Sequence, residues 1–147
     1  MQTPASIRKH PIHPMLITLP IGLWLFSFVC DLVRVFGGTD PAWEVVARYT
    51  MAGGIVGALI AAVPGTIDML SLSGRPRRIA LMHMAINLAV VALYIVNLWL
   101  RLRQPSEMLV WLSLASIALL GASGWLGGKM VYEHAVGVDT RGNSEAR

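Results

Sequence analysis

The sequence predicts an all-α integral membrane protein, an antiparallel four-helix bundle that uses the whole chain as a single transmembrane domain. Three observations predict it. The 147 residues are 55% hydrophobic and only 14% charged, with a mean hydropathy of +0.61, whereas charged residues make up about 25% of an ordinary soluble domain. Four apolar stretches reach the ~20 residues a helix needs to cross a hydrocarbon core of about 30 Å. Polar, Gly- and Pro-rich breaks separate them, and little chain is left for a soluble domain.

The first span is expected over residues 15–36, closed by Gly37-Gly38-Thr39-Asp40-Pro41. Arg8 and Lys9 ahead of it imitate a signal peptide. No small-x-small cleavage site follows, and Phe28-Val29-Cys30 lacks the small residues of a lipoprotein cut, so the segment reads as retained. Pro20 takes the usual donor from the Leu16 carbonyl and predicts a kink, with Thr18 as the substitute partner. Asp31 and Arg34 read as an interfacial i, i+3 pair. Cys30, the lone cysteine, allows no intrachain disulfide.

The second span is expected over residues 45–64 and is ended by Pro64-Gly65. Gly53, Gly57 and Ala61 form a small-residue row at four-residue spacing, suited to close helix packing. Ser73-Gly74-Arg75-Pro76-Arg77-Arg78 precedes the third span, residues 79–100, where Asn87 and Asn97 should face the interior as interhelical hydrogen-bond partners. Arg101 to Glu107 leads to the fourth span, residues 108–128, with a second small-residue face at Gly124 and Gly128 and with Gly121 and Gly127 nearby. Residues 138–147 are polar and read as a frayed end.

Four crossings put both termini on one face with the loop between spans two and three. That face holds Arg8, Lys9, Arg75, Arg77, Arg78, Lys129, Arg141 and Arg147; the other holds Arg34, Arg48, Arg101 and Arg103. The positive-inside rule then makes the termini cytoplasmic. Trp43, Trp99 and Trp111 fall at the outer interface, with Trp125 and Tyr132 near the inner one. The net charge of +4 follows from these loops, and no basic motif indicates a nucleic-acid partner.

All four histidines fall on the cytoplasmic half. His10 and His13 flank the start of span one, His83 lies about four residues into span three, ~6 Å along the axis, and His134 follows span four. Asp68 and Glu133 join them. His83 is the most informative, because an ionisable residue inside a membrane segment is costly and by default functional. His13 stands between Pro11 and Pro14, which fix its backbone. Asn87, one turn beyond His83, is placed to orient the imidazole or line the same cavity. His134 suits either a helix-end cap or a site, and His10 suits the surface.

The run His10-Pro11-Ile12-His13-Pro14-Met15-Leu16-Ile17-Thr18-Leu19-Pro20-Ile21-Gly22-Leu23-Trp24 resembles the signature of the bacterial domain-of-unknown-function 2231 membrane family. So do Ala61-Ala62-Val63-Pro64-Gly65-Thr66-Ile67-Asp68 and the stretch from Gly127 through Tyr132-Glu133-His134 to Val138. The resemblance covers essentially the whole chain. It implies a four-helix protein of the bacterial inner (plasma) membrane and an association with redox proteins, which points to electron transfer. Thr18 stands where many members carry a histidine.

Three functions compete. In the first, His13 and His83 hold a b-type haem between diagonal helices, with His134 as a substitute partner and Arg75, Arg77 and Arg78 for the propionates. A redox protein would be its partner. In the second, His13, His83, His134 and Asp68 or Glu133 hold zinc or iron, or Met15, Met69, Met82, Met84 and Met130 add thioethers for Cu(I). In the third, the chain is a non-catalytic scaffold whose small-residue faces bind partner helices, a second copy included. Transport ranks lower, since Asp31 is the only acid within a span. No nucleophile–base pair or phosphate loop indicates soluble-type enzymology.

Overall fold

The computed structural model describes residues 3–138. A two-stranded hairpin, β1 (Ser6–Ile7) and β2 (His10–Pro11), leads into α1 (Ile12–Leu16) and α2 (Thr18–Val35). These are followed by α3 (Ala42–Leu70), α4 (Gly74–Arg103) and α5 (Leu109–His134). Taken together, α1 and α2 form the first of four helical segments long and apolar enough to span a membrane. Each of the four buries little of its apolar surface inside the protein. Leu19, Phe26, Leu59, Leu88, Ile95 and Trp111 all face outward, as they must where lipid is the solvent.

Around the bundle, α2 packs on α3 and α5, and α4 packs on the same two helices. The first and third spans are therefore diagonal. The α2–α3 seam follows the expected small-residue row: a Cβ at Gly53 or Gly57 would lie 3.2 Å from Leu23 or 3.3 Å from Pro20. Gly54 leaves no room for one against the Trp24 indole. In the middle of the bundle Trp24 stacks on Tyr94, with ring centroids 4.3 Å apart and planes 9° from parallel, beside buried Met51 and Val90.

The second small-residue face is not a packing seam. A Cβ added at Gly121 or Gly124 would meet nothing within 4 Å, and Gly127 faces His83. Gly124 lines a cavity, whereas Gly121 is exposed on the outside of the bundle.

Three helix ends differ from expectation, one of them that of α5, which runs past residue 128 to His134. Pro64 lies inside α3, which runs on to Leu70. A proline removes one helical hydrogen bond and crowds the preceding turn, and here a side chain from another span joins that turn, as described below. Ser73 to Arg78 is the start of α4, not a loop, with Pro76 in the first turn, where its missing N–H costs nothing. At Pro20 the chain does break its helix, at Ile17, but Thr18 Oγ1 donates to the Met15 carbonyl (2.8 Å) and not to Leu16.

The predicted Asp31–Arg34 pair is also absent. Asp31 is bound by Arg101, which the sequence placed in a loop and the fold buries at 2% exposure in α4. The two contacts are bidentate, Arg101 Nη1 to Asp31 Oδ1 at 2.7 Å and Nη2 to Oδ2 at 2.6 Å. Arg101 Nε donates to Asn97 Oδ1 (2.9 Å), and Ser113 Oγ donates to Asp31 Oδ2 (2.9 Å). Glu44 receives Arg101 Nη1 at 3.3 Å and also pairs with Arg34 and Arg48. A charge in a membrane interior needs a partner; Arg34 pairs with Glu44, and Arg101 gives Asp31 the bidentate guanidinium fork. This network joins all four spans at one end. The expected terminal fraying and two of the counted basic residues, Arg141 and Arg147, fall beyond position 138 and lie outside the described residues.

Candidate functional site

At the other end a cavity of about 220 Å³ opens between the four spans. Its walls are mostly apolar and small: Ala58, Ala61 and Ala62 from α3, Ala80 from α4 and Gly124 from α5. His13 and His83 both line it, as do Asn87 and Asp68. The two imidazoles meet across the diagonal of the bundle, with ring centroids 6.2 Å apart and planes at 88°.

Each ring is fixed by a helix carbonyl. His13 Nδ1 is 2.8 Å from the Ala61 carbonyl, and His83 Nδ1 is 2.9 Å from the Ser123 carbonyl. A carbonyl can only accept, so in both rings Nδ1 carries the hydrogen and donates it. Both Nε2 atoms are then left as lone-pair donors. The Ala61 carbonyl lies in the turn that Pro64 disturbs, so the proline inside α3 and the histidine on α1 belong to one arrangement. Gly65 completes it: a Cβ there would lie 2.7 Å from His13 Nδ1. The Nδ1–Cε1 edge of His13 thus lies flat against α3. The same edge of His83 faces Gly127, where a Cβ would be 3.5 Å from Cε1.

Asn87 ties α4 to α5 beside His83. Its Nδ2 donates to Ser123 Oγ (2.7 Å) and to the His83 carbonyl (2.9 Å), and Ser123 Oγ lies 2.9 Å from His83 Nδ1. Asn97 is likewise interhelical, donating to Ser113 Oγ at 3.0 Å in the far network.

The remaining expected residues separate. Asp68 lines the cavity, but its Oδ1 accepts the Ala5 N–H (2.8 Å), so it anchors the N-terminal hairpin. His134 ends α5 and is not among the cavity residues; its Nε2 is buried without a partner. His10 Nδ1 is bonded to the Arg8 carbonyl (2.9 Å) in the exposed hairpin turn. Among the described residues no three His, Cys, Asp or Glu side chains converge to hold a metal ion, so the four-ligand set His13, His83, His134 and Asp68 is not assembled. Of the five methionines, Met69, Met84 and Met130 pack together and line the cavity. Met15 and Met82 are exposed. Arg75, Arg77 and Arg78 are exposed at the same end.

Sequence reasoning missed Ser123, Gly65 and the Ala61 carbonyl. Ser123 is one of three serines in the fourth span, with Ser113 and Ser116, so nothing in the sequence singled it out. Gly65 was hidden because Pro64-Gly65 reads as a helix end.

A family model described as a predicted membrane protein (DUF2231) matches residues 9–140. No curated protein and no solved structure matches the chain.

Proposed function

The chain belongs to the DUF2231 family of predicted membrane proteins, and from that premise we propose that its cavity binds b-type haem, with His13 and His83 as the two axial ligands, for electron transfer. The observation that carries the reading is the histidine pair: two Nδ1 atoms committed to carbonyls and two Nε2 atoms left free. Metal-binding histidines are oriented in this way by a partner on the other ring nitrogen. Both rings line the cavity, with centroids 6.2 Å apart.

The lack of a third protein ligand among the described residues favours haem over a bare ion. Zinc in a structural site takes about four protein ligands, whereas a porphyrin brings its own equatorial nitrogens. A bound haem supplies a one-electron couple tuned by its axial ligands. The protein's own part is to hold the two rings, to surround the site with apolar side chains and to keep bulk water out.

The same reading puts the termini and the cavity on the cytoplasmic side of a bacterial inner membrane. Arg8, Lys9, Arg75, Arg77, Arg78 and Lys129 at the histidine end support it. A redox protein approaching from that side is the expected partner.

Titration of haem into the purified protein tests the proposal, with His13→Ala and His83→Ala variants in parallel. A one-to-one Soret band in the parent and its loss in both variants is the expected result. A parent protein that acquires no Soret band overturns it.

A further inference from the structure

We propose that the histidine cavity is entered from the bilayer, through a side opening between α2 and α5 at Gly124, and that it admits lipid-soluble molecules. Gly124 belongs to two surfaces at once: it lines the cavity and is exposed on the outside of the bundle. It lies within the fourth span, where the surroundings are hydrocarbon. A Cβ added there would meet nothing within 4 Å, so no neighbouring side chain covers the helix at this point. On the α2 side the cavity is lined by Ile17 and Ile21, which keeps the opening apolar. An apolar molecule passes such an opening at no cost in hydration, whereas a polar one must first give up its water.

The other sides of the cavity are closed or narrower. Between α2 and α3 a Cβ at Gly57 would already lie 3.3 Å from Pro20. Between α4 and α5 both His83 and Asn87 are bonded to Ser123, at 2.9 and 2.7 Å. Between α3 and α4 the outward-facing lining residues include Leu59 and Leu88, which fill more of their seam than a glycine does. The aqueous end is shut by the N-terminal segment and by the turn after α5. Thr3 and Leu72 are buried on the cavity wall, and the Ala5 N–H is bonded to Asp68 Oδ1 at 2.8 Å. Val136 N–H returns to the Met130 carbonyl (3.1 Å), and a Cβ at Gly137 would touch Pro11 at 3.4 Å.

Diethyl pyrocarbonate tests the route without any haem, because this small lipid-soluble reagent acylates unprotonated imidazole nitrogen. The protein is reconstituted in phosphatidylcholine vesicles, and the rate of modification of each histidine is read by peptide mass spectrometry. Exposed His10 serves as the internal reference. Gly124→Phe should slow the modification of His13 and His83 about tenfold relative to His10, the effect of one over-packing contact on the path. Gly124→Leu should fall between it and the parent. Gly121→Phe, one turn away, exposed but not on the cavity wall, should match the parent. Rates at His13 and His83 that are unchanged or raised in Gly124→Phe overturn the proposal, as does an equal slowing in Gly121→Phe. A parent in which neither histidine is modified overturns it as well. Failure of the haem titration leaves this route standing, since the reagent reads entry alone.

Discussion

At one end of the bundle Arg101 directs its donors to Asp31, Asn97, Glu44 and Ser113. At the other, His13 and His83 each commit one ring nitrogen to a helix carbonyl and leave the second to the cavity. Both ends place polar groups in a membrane segment, where an unsatisfied group is expensive. The Arg101 end satisfies nearly all of them internally, charge against charge, with Glu44 Oε1 held only by the Arg48 ion pair at 3.6 Å. The histidine end satisfies only what is needed to hold the rings. On the proposed reading the difference separates a structural device from a binding device: near-complete pairing fixes helices, whereas rings held by one nitrogen each are prepared for a ligand.

Breaking the saturated end should have the largest effect on stability. Arg101→Ala leaves Asp31, itself 2% exposed, as a buried unpaired charge, and should cost about 3–5 kcal/mol in unfolding from detergent. Removing both partners as Asp31→Leu with Arg101→Met should recover most of that loss. Failure of the double variant to recover would mean that Glu44 and Asn97 depend on the guanidinium as much as Asp31 does.

Gly65→Ala comes next, and it acts on the open end through the backbone. The added methyl meets a ring held in place by the Ala61 carbonyl, and over-packing of this kind costs about 1–3 kcal/mol. Haem binding should fall with it, because the ring must move. An unchanged Soret titration in Gly65→Ala would show that the fit of His13 against α3 is not required.

His83→Ala should lower the stability of the haem-free protein by only about 0.5–1.5 kcal/mol, the scale of one hydrogen bond, yet abolish haem binding. Thermal unfolding and absorption together separate the two effects. A loss as large as that of Arg101→Ala would place His83 with the structural devices.

Asn87→Ala should change stability least. It lines the cavity and reaches the histidine through Ser123 and the His83 carbonyl, and loss of such a partner weakens metal-site affinity roughly tenfold. An Asn87→Ser variant, which keeps a donor, should recover part of it.

The architecture was legible in the sequence because a membrane helix announces itself by length and hydropathy, and all four spans stand where those criteria put them. Their ends were less legible. Pro64-Gly65 carries the local signature of a helix terminus, while the helix continues through it to Leu70. At the candidate site, His13 and His83 could be paired from depth alone, since both begin diagonal spans on the same side. The carbonyls that orient them could not, because Ala61 and Ser123 contribute backbone atoms that any residue possesses. The Asp31 network shows the same limit: Arg34 is the neighbour in sequence, but Arg101, seventy positions away, is the neighbour in space.

Electron paramagnetic resonance of the ferric, haem-loaded protein tests the central claim most directly, because it reads both the number of histidine ligands and the angle between their planes. Rings held at 88° by two separate carbonyls predict a low-spin signal of strong anisotropy, lost together with the bound haem in His83→Ala. A high-spin signal in the parent, or a low-spin signal that survives His83→Ala unchanged, would contradict the account.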